Sequence, residues 1–349
     1  MIISSKFMAA CLKAETRHIR RHARLLPLAL MALSGLSTGS ASAQTPAPPT
    51  LLSSAPPLRL IVPFTPGTGI DIVARTVGPR LAERLGRPVM VENRAGASGN
   101  IGTEAVVRAA PNGATLLVSV NTLVMNASLY PQLPFDPVKD LTPVTLTSWG
   151  QLLLVASTKS GFKTAADLMQ VARTSPGKVN YGSPGVGTPH HLSMELFKAT
   201  TGVFITHIPY RGTGPALTDL LGGQIDAMFL PIHVALPHIK SGRLTALGIG
   251  SDKRHPLLPD LPTLAEAKAG NINVDMWYGV FAPPGMAPET VAMFNREIRE
   301  ILLTDEVKKT FQAQGMDPSG STPAEFKHLV EQDALRWYQL IKRQKISAE

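Results

Sequence analysis

The sequence predicts an α/β fold of two lobes, each built on a mostly parallel sheet flanked by helices. Short apolar runs alternate with helical patterns from Leu58 onward, a rhythm typical of parallel sheets. Nine such runs are many for one open sheet of ordinary size, which favours two lobes. Of 349 residues, 44% are hydrophobic and 17% are charged, which provides enough apolar surface for a large core.

The predicted strands are short aliphatic runs bounded by turn residues. They lie at 58–64, 89–92, 116–120, 152–156, 179–181, 205–210, 225–230, 244–249 and 274–281. The predicted helices begin at capping or first-turn residues. They are 71–85 with a kink at Pro79, 164–175 starting from Thr164 and Asp167, 189–201 capped by the Thr188 hydroxyl, one starting at Thr263 and Glu266, and 323–345 docked through Phe326, Val330, Trp337 and Ile341.

Residues 1–43 have the features of a secretory signal peptide. Six basic residues and one acidic residue precede an apolar run over 25–36, and Ala41 and Ala43 form a small-residue cleavage site. The run is shorter than the ~20 residues of a spanning helix, so no anchor is predicted. Residues 44–57, rich in Pro and Ser, are expected to be a disordered leader. The sequence thus predicts an exported, periplasmic protein.

Composition excludes several function classes. The net charge is +9, but without residues 1–43 it falls to about +4 and is dispersed, so nucleic acid is not an expected partner. The single cysteine, Cys11, lies in the predicted signal peptide. The remaining chain therefore offers no disulfide, thiolate nucleophile or cysteine-based zinc site.

Four glycine-rich turns, each between a predicted strand and a predicted helix, are the most informative feature. They lie at 63–71, 94–102, 181–188 and 210–215. Glycine allows close backbone approach, and the free N–H groups at the following helix start attract anions. Several such turns at strand ends predict one crevice for a small anion. Alternatively, the turns need glycine for their backbone conformation alone.

Nucleotide-binding and metal signatures are incomplete. The turn before Thr188 has P-loop spacing, but threonine stands where lysine must contact phosphate. The first turn lacks the third glycine of a dinucleotide fingerprint, since Ile72 stands there. His191 and Glu195 have the spacing of two metal ligands without a clear third. No metal, cofactor or catalytic residue is therefore predicted.

An alternative from another class is a periplasmic serine hydrolase. It would use Ser183 and His191, with Asp226 as a candidate to orient the imidazole. Sequence spacing does not decide whether these side chains meet. The pair Trp277 and Tyr278 favours core packing over a ligand platform.

Several long motifs, in order, resemble one known family, the extracytoplasmic receptors of tripartite tricarboxylate transporters, or Bug receptors. The resemblance covers essentially all of 58–341. The motifs are IVPF at 61–64 with DIVAR at 71–75, VENR at 91–94 with GNIG at 99–102, LPFDPVKD at 133–140, SPGVG at 183–187, PYRG at 209–212 and DLLGGQID at 219–226.

The resemblance implies a two-lobed, type II-like periplasmic binding protein whose cleft closes by a hinge on a small aliphatic or aromatic carboxylate. It places lobe 1 at 58–153 plus 277–349 and lobe 2 at 154–276. The implied partners are the ligand and, transiently, membrane transporter subunits, with the receptor a monomer. A ligand-sensing module for a membrane signalling partner stays open as an alternative.

The resemblance also implies the ligand-binding residues. They are Phe64, Gly67, Thr68, Gly69, Asn121, Thr122, Ser183, Gly187, Thr188, His191, Tyr210 and Leu230. The chain departs from the family pattern at Thr68, at Ile70, at Val186 and at the Phe-Leu-Pro of 229–231, where the strand ends, with His233 shortly beyond. Because the usual Asp-Asn pair is missing there, we expect a ligand without an α-amino group.

Overall fold

The computed structural model describes residues 56–130, 132–344 and 346. The predicted signal peptide and most of the predicted leader lie outside the described residues. No helix within the described ranges is long and apolar enough to cross a membrane.

The described residues form eleven strands, ten α-helices and two short 3₁₀ helices. The strands are β1 (Leu58–Val62), β2 (Val89–Asn93), β3 (Thr115–Val120), β4 (Thr142–Gly150), β5 (Leu152–Ser157), β6 (Asn180–Ser183), β7 (Thr206–Pro209), β8 (Ala227–Pro231), β9 (Leu244–Ile249), β10 (Met276–Ala282) and β11 (Met316–Pro318). The helices are α1 (Gly69–Leu85), α2 (Asn100–Val107), α3 (Thr122–Leu129), α4 (Ala165–Thr174), α5 (Pro189–Thr201), α6 (Thr213–Gly222), α7 (Ile232–Lys240), α8 (Pro288–Leu303), α9 (Asp305–Ala313) and α10 (Pro323–Gln344).

The strands form two sheets flanked by helices, so the predicted α/β class with more than one sheet is confirmed. Sheet 1 has the order β11-β4-β10-β3-β1-β2, and sheet 2 has the order β7-β6-β8-β5-β9. Both sheets are mixed, with four parallel and five antiparallel strand pairings among the described residues, so the prediction of mostly parallel sheets was wrong. β1 pairs in parallel with β2 and β3, and β6 with β7 and β8. Every other pairing is antiparallel and involves β4, β5 or β10, the strands at the crossings between the sheets.

The chain crosses from sheet 1 to sheet 2 through one residue. β4 ends at Gly150, β5 begins at Leu152, and only Gln151 lies between them. The return crossing is the longer segment 250–275. The Gln151 side-chain amide donates to Ser251 Oγ over 3.0 Å, and Gly250 N–H donates to the Leu152 carbonyl over 2.8 Å. The two crossings therefore run side by side and are hydrogen-bonded to each other.

Most predicted elements are present, with corrections. The sequence patterns did not specify β4, β11, α3, α7, α8 or α9. The helix expected from Thr263 is a turn, although Thr263 and Glu266 exchange the two capping-box hydrogen bonds. Lys268 has φ of 56° and Gly270 has φ of 94°, which ends the turn before a helix can form. α10 docks as predicted, with Phe326, Val330, Trp337 and Ile341 buried.

Candidate functional site

The four glycine-rich turns lie against one another at the edges of the two sheets. A Cβ placed on Gly99 would lie 2.9 Å from Phe64, which joins the first turn to the second. A Cβ on Gly185 would lie 2.8 Å from Ser98 Oγ, and one on Gly212 would lie 3.2 Å from Thr65. Because Gly185 and Gly212 follow strands of sheet 2, these contacts connect the two sheets and enclose a gap between them.

The gap has an inner and an outer part. The inner cavity has a volume of about 40 Å³ and the outer cleft about 540 Å³. Phe64 and Pro184 line both parts. All four turns contribute to the wall of the outer cleft, and Arg211 of the fourth turn lies on it.

Five helices begin at the inner cavity. The first-turn residues on its wall are Gly69 and Ile70 of α1, Thr122 of α3, Pro189 and His190 of α5, Thr213 of α6, and His233 and Val234 of α7. Each helix start carries main-chain N–H groups without a partner inside the helix, together with the positive end of the helix dipole. Five of them around one cavity produce a strongly anion-attracting space.

Side chains leave these helix starts uncapped. None of the five described starts accepts a hydrogen bond onto its N-cap side chain. The Thr68 hydroxyl donates to the Thr65 carbonyl over 3.1 Å, and the Thr188 hydroxyl donates to the Gly185 carbonyl over 2.7 Å. The predicted cap at Thr188 was therefore wrong, because that hydroxyl folds the third turn instead. No N-cap side chain therefore occupies the main-chain N–H groups of these first turns.

The wall of the inner cavity is formally neutral. Among the described residues that line it, none is Asp, Glu, Lys or Arg. Burial, with a smaller contribution from His233, lowers the pKa of His190 to about 3. Burial also lowers the pKa of His233 to about 4 and raises that of the Tyr278 hydroxyl. An anion bound here is therefore stabilised by dipoles and hydrogen bonds rather than by a side-chain cation.

A family model described as the tripartite tricarboxylate transporter family receptor matches residues 73–346. The chain belongs to this family. The family resemblance of the sequence motifs is thereby confirmed, and so is the two-lobed binding-protein fold.

Relatives of this receptor align with its sequence over most of its length. BugT of Bordetella pertussis is 38% identical over 290 residues, covering 82% of this chain and 89% of that protein. A UPF0065 protein encoded between tcbD and tcbE in Pseudomonas sp. (strain P51) is 36% identical over 294 residues, covering 84% and 87%.

Solved structures resemble the receptor as closely. Rpa4515 of R. palustris with adipate superposes with a TM-score of 0.81 at 32% identity, covering 84% of this chain and 99% of that one. MatC (Rpa3494) from Rhodopseudomonas palustris with bound malate gives 0.77 at 30% identity, covering 82% and 99%. The periplasmic binding protein BugD gives 0.79 at 29% identity, covering 83% and 98%.

Half of the sequence-predicted site residues lie on the gap of the receptor. Phe64, Thr68, Gly69, Thr122 and Thr188 line the inner cavity, and Tyr210 lines the outer cleft. The other predicted residues line neither part; they are Gly67, Asn121, Ser183, Gly187, His191 and Leu230.

The amides of two predicted glycines serve the protein itself. Gly67 N–H donates to Asp71 Oδ2 over 2.9 Å, and Gly187 N–H donates to His191 Nδ1 over 3.3 Å. These two N–H groups hold the turns in shape, and the imidazole of His191 accepts the bond from the third turn. That Gly67, Gly187 and His191 contact a ligand stays a prediction.

Asn121, Leu230 and Tyr210, which were also predicted to bind the ligand, make contacts within the protein. The Asn121 side chain donates to the Asp275 carbonyl over 3.1 Å. Leu230 is fully buried among aliphatic side chains of sheet 2. Tyr210 is on the cleft wall, but its hydroxyl donates to Asp219 Oδ2 over 2.7 Å.

The residues named for a serine hydrolase do not form a triad. Ser183 Oγ lies 2.7 Å from His207 Nε2, and Ser183 is fully buried. The His191 ring packs on His207 with 4.4 Å between the centroids. Asp226 accepts from the Asn180 N–H over 2.9 Å and orients neither imidazole. The hydroxyl thus fixes a strand end beneath the third turn.

Three residues that line the inner cavity were not among the predicted ligand-binding residues. His190 was overlooked beside His191, although both lie in the first turn of α5. His233 follows β8 at the start of α7, the same strand-to-helix arrangement as the glycine turns but without glycine. Tyr278 lines the cavity, whereas Trp277 is core, as the sequence favoured, and donates to Asp333 over 2.8 Å.

Proposed function

We propose that this receptor captures a small organic acid in the inner cavity and delivers it to the membrane subunits of a tripartite transporter. One observation carries the proposal: five uncapped helix starts meet at a cavity whose described wall has no charged side chain. A carboxylate matches that environment, because main-chain N–H groups and helix dipoles compensate one negative charge. The adipate with Rpa4515 and the malate bound to MatC are acids of this kind.

Capture proceeds by closure of two lobes that follow the two sheets. Lobe 1 comprises sheet 1 with both ends of the described chain, and lobe 2 comprises sheet 2. In this proposal the lobe boundary lies at Gln151, the residue between β4 and β5, two residues before the predicted boundary after 153. A ligand that contacts α1 and α3 on one side and α5, α6 and α7 on the other stabilises the closed arrangement over the open one.

The receptor works in the periplasm as a monomer and catalyses no reaction. The signal-like segment 1–43 supports export. Contact with the transporter is transient, since the receptor must return for another ligand. Incubation with esters, amides and the bound acid, followed by mass spectrometry, is expected to return every compound unchanged.

The test compares acids with their neutral amides. Protein unfolded in urea, dialysed and refolded is titrated calorimetrically with adipate, malate, benzoate and aspartate, and with adipamide and benzamide. We expect at least one acid to bind and the amide of the same shape to bind at least about tenfold more weakly, because it lacks the charge that the helix starts stabilise. The proposal fails if no acid binds, or if amides bind as tightly as acids.

A further inference from the structure

Two histidines on the inner wall have nitrogens without a protein partner. His190 is 8% exposed, and neither its Nδ1 nor its Nε2 has a hydrogen-bond partner among the described residues. Nε2 of His233 is buried and also lacks one, as does the Thr122 hydroxyl. All three side chains line the same cavity. Buried polar groups are normally paired, so these groups indicate where a ligand supplies the missing partners.

The chemistry of a neutral imidazole defines that partner. One ring nitrogen carries a hydrogen and donates, and the other has a lone pair and accepts. A carboxylate accepts from the first but has no hydrogen for the second. An ammonium group has hydrogens but no lone pair, and no carboxylate on the described wall would compensate its charge. An O–H group does both.

The surroundings keep both imidazoles neutral. The titratable side chains that face the cavity are His190 on α5, His233 on α7 and Tyr278 on β10. The residues that α1, α3 and α6 contribute to the wall are Gly69, Ile70, Thr122 and Thr213, none of which titrates near neutral pH. The helix starts beside both rings oppose a positive charge further. Each ring therefore offers one donor and one acceptor at neutral pH.

We propose that His190 and His233 select the ligand by an O–H group that both donates and accepts a hydrogen bond. This inference rests on the proposed function, since it concerns the same cavity. The ligand is an organic acid whose ionised carboxylate is bound by the helix starts. Its O–H belongs either to a hydroxyl or to a second carboxyl group that is bound with its proton.

The experiment uses acids of equal length that differ only at the far end. The four-carbon set is butyrate, 4-hydroxybutyrate, succinate and 4-aminobutyrate, and the six-carbon set is hexanoate, 6-hydroxyhexanoate, adipate and 6-aminohexanoate. In at least one set, the hydroxy acid or the diacid is expected to bind at least about tenfold more tightly than the alkyl and amino acids. The alkyl acid leaves buried nitrogens unpaired, which is costly.

Proton uptake separates the two sources of the O–H. Calorimetry at pH 7 in phosphate and in Tris, whose ionisation heats differ, reports the protons bound with each ligand. We expect no uptake with the hydroxy acid and about one proton with the diacid, which is ionised at both ends in solution. A diacid that binds most tightly with no proton uptake would enter as an acceptor only, and it would overturn the inference.

Variants assign the selection to the two rings. His190→Phe and His233→Phe keep an aromatic ring but remove the nitrogens, so the preference for the O–H acid should fall below about threefold. His238→Phe, on the same helix as His233 but outside the cavity, should keep it. Folding of each variant is checked by circular dichroism. If a variant does not fold, the affinities of the wild-type protein for the two acid sets still test the inference.

Each contrary result has one meaning. Equal affinity across each set, tightest binding of the amino acids, or full selectivity in both histidine variants overturns the inference while the carboxylate receptor stands. The same holds if the protein binds another acid, such as benzoate, but no member of either set. Failure to bind any carboxylate overturns the proposed function itself.

Discussion

The Ser98 hydroxyl donates to the Val186 carbonyl oxygen over 2.7 Å, across the gap between the two sheets. Tyr130 reaches the same oxygen with its hydroxyl over 3.2 Å. Ser98 itself is held in a left-handed conformation, with φ of 52°, and its carbonyl accepts from the Asn126 side chain over 2.8 Å. A single carbonyl of the third glycine turn thus receives two hydroxyls from the opposite lobe.

Removing both hydroxyls is expected to weaken ligand binding without unfolding the protein. Ser98→Ala combined with Tyr130→Phe deletes two bonds that exist only when the lobes meet, each worth about 1 kcal/mol. We expect the dissociation constant measured by calorimetry to rise at least about fivefold. Small-angle scattering of the liganded variant should show a larger radius of gyration than the liganded wild type.

The matched control is Ser241→Ala, whose hydroxyl donates to the His238 carbonyl within one lobe. This variant should bind like the wild type. If the double variant also binds like the wild type, these hydroxyls do not stabilise closure.

Gly69→Ala is expected to abolish tight binding by displacing Tyr278. A Cβ on Gly69 would lie 2.5 Å from the Tyr278 hydroxyl oxygen, and Gly150 holds the other side of the ring, where a Cβ would lie 2.9 Å away. The ring must then move toward the cavity, which costs about 1–3 kcal/mol in stability and, we expect, at least tenfold in affinity. Gly214→Ala is the control, because no atom lies within 4 Å of its added Cβ. Urea unfolding and calorimetry check both; unchanged affinity in Gly69→Ala would contradict the role of Tyr278.

Stability should fall as the pH drops from 7 to 5. Burial lowers the pKa of His190 and His207 to about 3 and that of His191 and His233 to about 4, with smaller contributions from neighbouring charges. In the unfolded chain these groups titrate near 6.5. Below that pH the unfolded chain takes up protons that the folded chain does not bind. The free energy of unfolding is therefore highest above about pH 6.5 and decreases toward pH 4.

Urea titrations at pH 7, 6 and 5 measure this dependence. His190→Phe should reduce it by about one proton, and it should raise stability at pH 5 more than at pH 7. A free energy of unfolding that is constant from pH 7 to 5 would show that these imidazoles are not shielded in the folded protein.

Asp71 shapes the first turn without facing the ligand. It accepts from the Gly67 N–H, from Arg75 Nε over 3.0 Å and from Asn93 Nδ2 over 2.9 Å. Burial alone would raise the pKa of Asp71, but these donors outweigh it and lower the pKa overall. Asp71→Ala leaves the donors unpaired, and we expect a loss of about 1–3 kcal/mol in stability and about tenfold in affinity.

Asp167→Ala provides the comparison, since Asp167 accepts main-chain N–H bonds at the start of α4, away from the gap. It should lose stability but keep its affinity. If Asp71→Ala and the wild type bind with equal affinity, the shape of the first turn does not contribute to ligand binding.

The meeting of the glycine turns could be predicted from the sequence, because strands that run in parallel end at the same edge of a sheet. Which main-chain N–H groups of these turns stay free for a ligand could not be predicted. Whether Gly67 and Gly187 offer their N–H groups depends on which side chain reaches them, here Asp71 and His191, each four residues further on. The same limit applies to His190. Successive residues of a helix point about 100° apart, so only the direction of α5 decides which of two adjacent histidines faces the cavity.

β4 escaped prediction for a related reason. Its threonines and serines look like turn or surface residues, yet Thr145 and Thr147 are fully buried. The Thr147 hydroxyl donates to the Tyr278 carbonyl over 2.9 Å, and the Thr145 hydroxyl donates to the Ser321 carbonyl over 3.0 Å. Both acceptors lie more than a hundred residues away, so nothing local in the sequence indicates that these hydroxyls are satisfied inside a sheet.

The uncapped helix starts have an evolutionary consequence. Peptide N–H groups belong to every amino acid except proline, so replacing a side chain at these positions leaves the anion anchor in place. Neighbouring side chains, such as those of His190 and His233, can then change without removing these N–H groups. Related receptors can therefore evolve to bind new acids by changing the side chains of the inner cavity while the helix starts continue to bind the carboxylate.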